Sequence, residues 1–561
     1  MTPVLKQIKD VQVLLKHLQL KTRLLLISLL PYYVLTVAGT ILEGTSLLLL
    51  VSWFTAASSK SSLEILPSVL SGILNQFLSN SQPFDRIWLV VFLLGLAVIV
   101  RSFLAVFDAI VNSVLRRKLQ ERVFTRYVIG NWKSIGTFRV GEAVGTTTTE
   151  AATVAKYLSS IVSVGFYFLS ATAMTWLAVS VSLNLSLILI VIASPLMILI
   201  KIAITRQARL SRQIAILRNI FSSDITDRYN GLFQIHVDDR DEFHILKGTR
   251  IQSNLTKAEI KMSAYQAIIG SFGLLLPFTA LLGFALWVTV VGIELAPTTA
   301  MIASVGVLGV KVAGQLNGLI ASFGTMSRLS GSLHPVFESL SIPEKPLRRE
   351  IPERVLEIDV EEVTFGYGDK PVLESVSLRV RKGFPLALSG RSGMGKTTLA
   401  NLIGGLYFPL SGKVIYVGET GERYDSKAFK AKVGYVTQDI YIFRGTLRDS
   451  LTSGRICSDE QIWNTLETVE AADFVRALGG LDIESAEAGR DFSGGQRRRL
   501  GIARVLLTGA DILIFDEVSS GLDQLNKAAV FAILECLSRS YLVILISHEE
   551  FSMSAKEVFT L

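Results

Sequence analysis

Gly390-Arg391-Ser392-Gly393-Met394-Gly395-Lys396-Thr397-Thr398 decides the fold of the C-terminal half. It fits G-x-x-x-x-G-K-[ST], the phosphate-binding loop pattern. Pro385-Leu386-Ala387-Leu388 just before it reads as a buried strand, and Thr397 onward reads as a helix. In that setting the glycines turn successive N–H groups onto phosphates, and the helix N-terminus adds its partial positive charge. Lys396 offers a point charge to the β and γ phosphates, and the Thr397 hydroxyl can ligate Mg²⁺. All nine residues are candidate ATP contacts.

The rest of the half supplies the other parts in order. Ile512-Leu513-Ile514-Phe515 is an apolar strand ending at Asp516-Glu517. Asp516 is expected to hold Mg²⁺, and Glu517 to polarise the attacking water. The second role requires a carboxylate within hydrogen-bond reach of that water. Val543-Ile544-Leu545-Ile546 is a further apolar strand, leading to Ser547-His548. His548 is a candidate for contacting the γ-phosphate or orienting Glu517. Tyr367 lies between the strand-like runs 355–363 and 376–380 and is a candidate adenine platform; a core or turn tyrosine is the alternative.

The first 330 or so residues read differently. Half of the 561 residues are hydrophobic and mean hydropathy is +0.46, too high for an ordinary soluble protein of this length. A bilayer core about 30 Å thick needs about 20 apolar residues in a helix. Six such spans are expected, at about 24–54, 87–111, 159–181, 184–203, 267–291 and 298–320. The third and fourth form a hairpin reversing near Ser182-Leu183-Asn184, and 292–297 turns between the last two. Lys and Arg cluster before the first span (Lys6, Lys9, Lys16, Lys21, Arg23) and in the two long connections after spans two and four. The opposite loops carry only Lys60 and Arg86. By the positive-inside rule the chain starts and ends in the cytoplasm. The same pattern accounts for the net charge of +8, so no nucleic-acid partner is expected. The first apolar run is about twice a signal h-region in length, so cleavage is not expected. Cys457 and Cys536, the two cysteines, have no His or Cys near them in sequence and read as reduced thiols of a cytosolic domain.

The long cytosolic connections carry helical patterns with two short breaks, Gly141–Gly145 and Tyr229–Asp241. Either break is a candidate for touching the C-terminal domain; ordinary loops are the alternative. In the first external loop, Leu66, Val69, Leu70, Ile73, Leu74 and Phe77 make one apolar helix face, suited to the outer interface or to packing on the spans. Four prolines between Pro335 and Pro352 mark the domain boundary. The expected division is 1–335, a linker at 336–354, and 355–561.

Ser493-Gly494-Gly495-Gln496, together with Gln438 in Val436-Thr437-Gln438-Asp439, resembles the ATP-binding cassette (ABC) ATPases. Phe492 stands where that family usually has Leu. Ser519-Ser520-Gly521-Leu522-Asp523 resembles its dimer-contact loop, with Gly521 where Ala is common. Glu484, Glu487 and Gly489 resemble an exporter-type motif. Six spans fused ahead of one cassette resemble the half-transporter exporters. The resemblance implies an all-α polytopic membrane domain, its six transmembrane helices carrying long cytosolic extensions. An α/β P-loop ABC ATPase domain follows it. It implies catalysis by Glu517, His548 and Gln438, and Mg²⁺ held by Thr397, Gln438 and Asp516. Ser493, Gly494, Gly495 and Gln496 would then complete the ATP site of a second subunit. A homodimer in the inner (plasma) membrane is the simplest assembly, and a heterodimer is the alternative. Neither the C-terminal helical tail common in exporters nor a peptidase domain ahead of the first span is expected.

Substrate is read from charges inside spans, which are costly and so mark function by default. Arg101 lies roughly 20 Å below the external end of span two at 1.5 Å per residue, and Lys311 lies at a similar depth in span six. With Glu43 they suggest an amphiphile with an anionic head, such as a lipid-linked saccharide or a lipid. Glu43 after its long apolar run resembles oligosaccharide-lipid flippases of the family. Structural pairing of these cations with Glu43 or Asp108 is the competing expectation. A peptide or multidrug exporter is the second reading, and an ATP-gated channel or regulator a third.

Overall fold

The computed structural model describes residues 22–56, 83–136, 138–181, 183–291, 299–368, 370–391, 393–438, 440–485, 489, 491–518, 524–546 and 557–560. Two compact units emerge, one of residues 1–130 and 134–344, the other of 131–133 and 345–561. The apolar helix expected in the first external loop lies outside the described residues. So do the turn at 292–297, Ser392, Glu487, the loop 519–523 and His548.

The first unit is built on six long helices: α1 (Thr22–Ala56), α2 (Pro83–Ile129), α3 (Ala151–Val181), α4 (Leu183–Asn230), α5 (Asp241–Val291) and α6 (Thr299–Leu329). Among the described residues, Leu29–Val51, Ile87–Ile129, Val140–Val181 and Gly306–Leu340 are long and apolar enough to cross a membrane. The expected spans at 184–203 and 267–291 fall on α4 and α5, where most side chains lie outside the described residues. With 47 residues, α2 is about 70 Å long, more than twice the bilayer core. The spans therefore continue as helices well past the membrane. Val91, Phe92, Val98, Ile99 and Phe103 of α2 are exposed, as a lipid-facing stripe requires. Buried hydroxyls in α1 satisfy themselves locally. Thr36 donates to the Tyr32 carbonyl at 2.9 Å and Thr40 to the Thr36 carbonyl at 2.8 Å, and Thr40 also meets Ser170 of α3 at 3.0 Å.

Gly141–Gly145 is not a break. Residues Val140–Gly145 are helical and run through one π-helical turn, Thr146–Glu150, into α3. The glycine serves close packing instead: a Cβ at Gly141 would sit 2.6 Å from Thr226 Oγ1 and 2.9 Å from the Ser222 carbonyl on α4. The polar region 229–241 does interrupt the helices, as a short helix Leu232–Val237 and a turn with Asp239 at φ 50°. Of the connection after the second span, Asn131–Lys133 belongs to the second unit.

Gly331, in the short 3₁₀ helix Ser330–Ser332 that follows α6, gives a direct test of its contact with α4. Its absent Cβ would lie 2.3 Å from the Ser211 carbonyl oxygen, a backbone atom with little freedom to move. Gly331→Ala is expected to cost about 1–3 kcal/mol by overpacking. The thermal unfolding midpoint of the detergent-purified protein should fall. An unchanged midpoint would place the two helices further apart than described.

The second unit contains nine principal strands: β1 (Val355–Phe365), β2 (Leu373–Arg381), β3 (Leu386–Ser389), β4 (Ser411–Gly418), β5 (Arg423–Asp425), β6 (Val433–Val436), β7 (Ile512–Asp516), β8 (Leu542–Ile546) and β9 (Glu557–Thr560). An antiparallel sheet has the order β2-β1-β4-β5, and a parallel sheet the order β9-β3-β8-β7-β6. The inner strands β7 and β8 are almost wholly apolar, as strands covered on both faces are. Ile512, Ile514, Leu542, Ile544 and Ile546 enter one core. Leu513, Phe515, Val543 and Leu545, their neighbours in sequence, enter the other. Period-two alternation thus divides each strand between two cores.

Candidate ATP site

Parallel pairing brings the chemistry to one end of the sheet. Asp516 of β7 is in register with Ile546 of β8, and Ile546 with Leu388 of β3. The phosphate loop after β3 and Asp516-Glu517 at the end of β7 lie at the carboxyl edge of the sheet, where ligands bind in open α/β folds. Gln438 follows β6, itself paired with β7 through Val436 and Phe515.

In the loop, Gly390, Gly393 and Gly395 take positive φ values of 142°, 84° and 96°. Gly395 caps the helix Lys396–Ile403 in a left-handed conformation that only glycine holds without strain. Lys396 is buried, and its Nζ donates to the carbonyls of Gly390 at 2.7 Å and Arg391 at 3.1 Å. The ammonium is thus held across the cradle it serves. Arg391 and Met394 are exposed on the loop, and Thr398 is buried beneath it.

Thr397 Oγ1 donates to Asp516 Oδ2 at 3.2 Å. Burial is the main force raising the Asp516 carboxyl above the usual range, while hydrogen bonds from Thr397 and Tyr435 pull it down. A hydroxyl and a carboxylate at this separation suit a hard cation with oxygen ligands. Gln438 donates its Nε2 to Glu517 Oε2 at 2.8 Å, which leaves its carbonyl oxygen for the same ion. Thr397 and Asp516 thus offer oxygen donors of the kind Mg²⁺ takes, with Gln438 held next to Glu517. Bound there, the ion would neutralise phosphate charge. Glu517 sits at φ 51°, and its N–H is anchored to the Ile546 carbonyl at 3.0 Å. A non-glycine residue in that region is strained, and such strain clusters at functional sites.

Tyr367 is part packed and part exposed. Its ring meets Phe365 and Tyr407 edge-on, with centroids 5.3 and 5.6 Å apart, and its hydroxyl shares a hydrogen bond with Thr398 at 3.0 Å. It remains 53% exposed, enough to receive a base. Ser493 caps the helix Gly494–Leu506 in a reciprocal box: its Oγ accepts from the Gln496 N–H at 3.2 Å, and its own N–H donates to Gln496 Oε1 at 2.9 Å. Gly494 is exposed and Gly495 half-buried, and neither has a side chain to shield the first-turn N–H groups from an incoming phosphate. Phe492, the family departure, is buried in the core.

Two features escape sequence reading. The Tyr435 hydroxyl donates to Asp516 Oδ2 at 3.3 Å, yet a tyrosine inside an apolar strand gives no signal. Lys133, far off in sequence, places Nζ 5.3 Å from the Phe365 ring centroid and 3.4 Å from the Gly366 carbonyl, beside Tyr367.

In the helical unit, Glu43, Arg101 and Lys311 do come together. Glu43 Oε1 accepts from Lys311 Nζ at 2.6 Å, and Oε2 pairs with Arg101. The competing expectation of structural pairing is met for Glu43, whereas Asp108 takes neither cation.

These elements define a P-loop ATPase of α/β fold that also carries a Ser-Gly-Gly-Gln helix start, behind a unit of long apolar helices. Residues 373–520 match the ABC transporter family. A probable ABC transporter ATP-binding/permease protein of Haemophilus influenzae is 34% identical over 251 residues, 42% of this chain and 46% of that protein. The heterocyst differentiation ATP-binding protein HepA of Nostoc is 26% identical over 451 residues, 77% of this chain and 72% of that protein. The chain spans about half the length of the first curated relatives it matches: 46%, 35% and 61% of three Haemophilus influenzae proteins. The fold is shared with a bacterial Atm1-family ABC exporter solved with ATP bound, at 19% identity and a TM-score of 0.74 over 96% of this chain and 94% of that one. The ABC transporter match thus falls on the α/β unit, which follows a unit of long apolar helices in the chain.

Proposed function

We propose that this protein exports or flips an amphiphile with an anionic head across the inner membrane, driven by ATP, as a symmetric homodimer with cytoplasmic termini. A lipid or a lipid-linked saccharide is the class of substrate. The observation that carries the substrate reading is Glu43 held between Arg101 and Lys311. One carboxylate faces two cations, so the Glu43–Arg101–Lys311 cluster itself carries a net positive charge within long apolar runs of α1, α2 and α6. The Arg101 and Lys311 side chains also keep 40% and 38% of their surface exposed. That exposure leaves donors for an incoming headgroup.

ATP held by residues 390–398 of one copy and Ser493–Gln496 of the other makes contacts that exist only when the two domains are closed. Binding then favours the closed state by that difference in contacts. Glu517 polarises water against the γ-phosphate, and Gln438 holds the Glu517 carboxylate in place. Loss of the phosphate removes the bridging contacts and reopens the pair.

The test is ATP turnover in liposomes with anionic lipid, glycolipid or peptide added. Anionic amphiphiles should stimulate the native protein, and Lys311→Gln should lose most of that stimulation. Stimulation by peptides alone, or an unaltered response in Lys311→Gln, would exclude this substrate class.

A further inference from the structure

A second charged site lies in the helical unit, away from Glu43. A cavity of about 650 Å³ is lined by residues from each of α2 to α6, among them Asn112, Lys156, Ser211, Met262 and Leu329. Its cations are Arg116, Lys156, Arg218 and Arg328. Asn112 follows the expected end of span two, and Lys156 and Gln266 just precede spans three and five. The cavity thus sits at the level where the spans leave the membrane.

The charges do not balance. Arg218 lies 3.6 Å from Glu150, whose carboxylate is buried, and 3.5 Å from Glu259 on the cavity wall. Arg328 donates to the neutral Gln266 at 3.1 Å. Among the described residues, no carboxylate pairs with Arg116 or Lys156. Four cations therefore face two carboxylates, an excess equal to the charge of a phosphate monoester dianion. Guanidinium forks and an ammonium are the groups that bind phosphate best. The volume falls in the range of small-molecule pockets and far exceeds a bare phosphate.

We propose that this cavity binds the phosphate of an organic phosphate, with Arg116 and Lys156 as its principal contacts. The proposal deepens the reading of an anionic-headed substrate and rests on it: this is where the head would be taken up. The phosphate could belong to a lipid of the adjoining leaflet or to a water-soluble ester.

Binding is measured without ATP turnover, so failure of this site and failure of transport are separately visible. Full-length protein in phosphatidylcholine nanodiscs is saturated with ADP and Mg²⁺, which blocks the phosphate loop. One arm titrates sn-glycerol 3-phosphate; the other adds phosphatidate to the discs and reads its retention by native mass spectrometry. Arg116→Gln with Lys156→Gln should weaken capture at least about tenfold, the least expected from two charge-assisted contacts. Arg117→Gln with Lys118→Gln removes the same charge beside the cavity and should leave capture unchanged. Lys156→Gln alone serves if the double variant misfolds, since its end is exposed. Capture of glycerol phosphate assigns a soluble ester, and capture of phosphatidate alone assigns a lipid headgroup. No capture in either arm, or equal loss in both double variants, overturns the proposal.

Discussion

Glu517→Gln is expected to abolish most ATP turnover while ATP still binds. The carboxylate stands at the end of β7, beside Asp516, where strained backbone and the Gln438 amide fix its position. Gln has the same shape and none of the basicity. Removing a positioned base costs typically 10²–10⁴-fold in rate. Lys396, Thr397 and the loop glycines are untouched, so affinity for ATP should hold. Phosphate release and labelled-ATP binding on the same preparation separate the two effects. A variant as fast as the native protein would remove Glu517 from the reaction.

Glu43→Gln is expected to weaken the helical unit itself. It leaves Arg101 and Lys311 facing each other with no anion between them. Breaking a buried ion pair from one side costs about 3–5 kcal/mol. The 40% and 38% exposure of the two cations shifts the expected loss to the lower end or below it. Thermal unfolding in detergent reads the loss, and adding Lys311→Met to the variant should recover part of it, as coupled neighbours require. A midpoint that does not move in Glu43→Gln would show that the cluster contributes no stability.

What the sequence disclosed followed from local rules. A strand, a glycine loop and a helix in succession specify a phosphate cradle wherever they occur, so Gly390–Thr398 was readable without any tertiary information. The apolar runs were readable for the same reason, since bilayer thickness sets their length. Contacts between distant segments were not. Gly141 reads as a helix breaker in sequence, but its absent side chain makes room for Ser222 and Thr226 on another helix. Glu43 and its two cations are visible as costly charges, yet only packing shows that one carboxylate bridges both. Tyr435 and Lys133 carry no motif. Their roles come from β6 lying beside β7 and from Asn131–Lys133 joining the ATPase unit.

The account rests on each ATP being held by two copies of the chain, head to tail. The most direct measurement combines two inactive proteins in a Glu517→Gln background, one carrying Lys396→Ala and the other Gly494→Asp. Each alone lacks a part of every site. A mixed pair rebuilds one complete site, from the loop of one chain and the Ser-Gly-Gly-Gln start of the other. Labelled ATP retained after gel filtration is the readout. Retention by the co-assembled mixture, and by neither component alone, is the predicted result. A mixture that retains no more ATP than its components would contradict it.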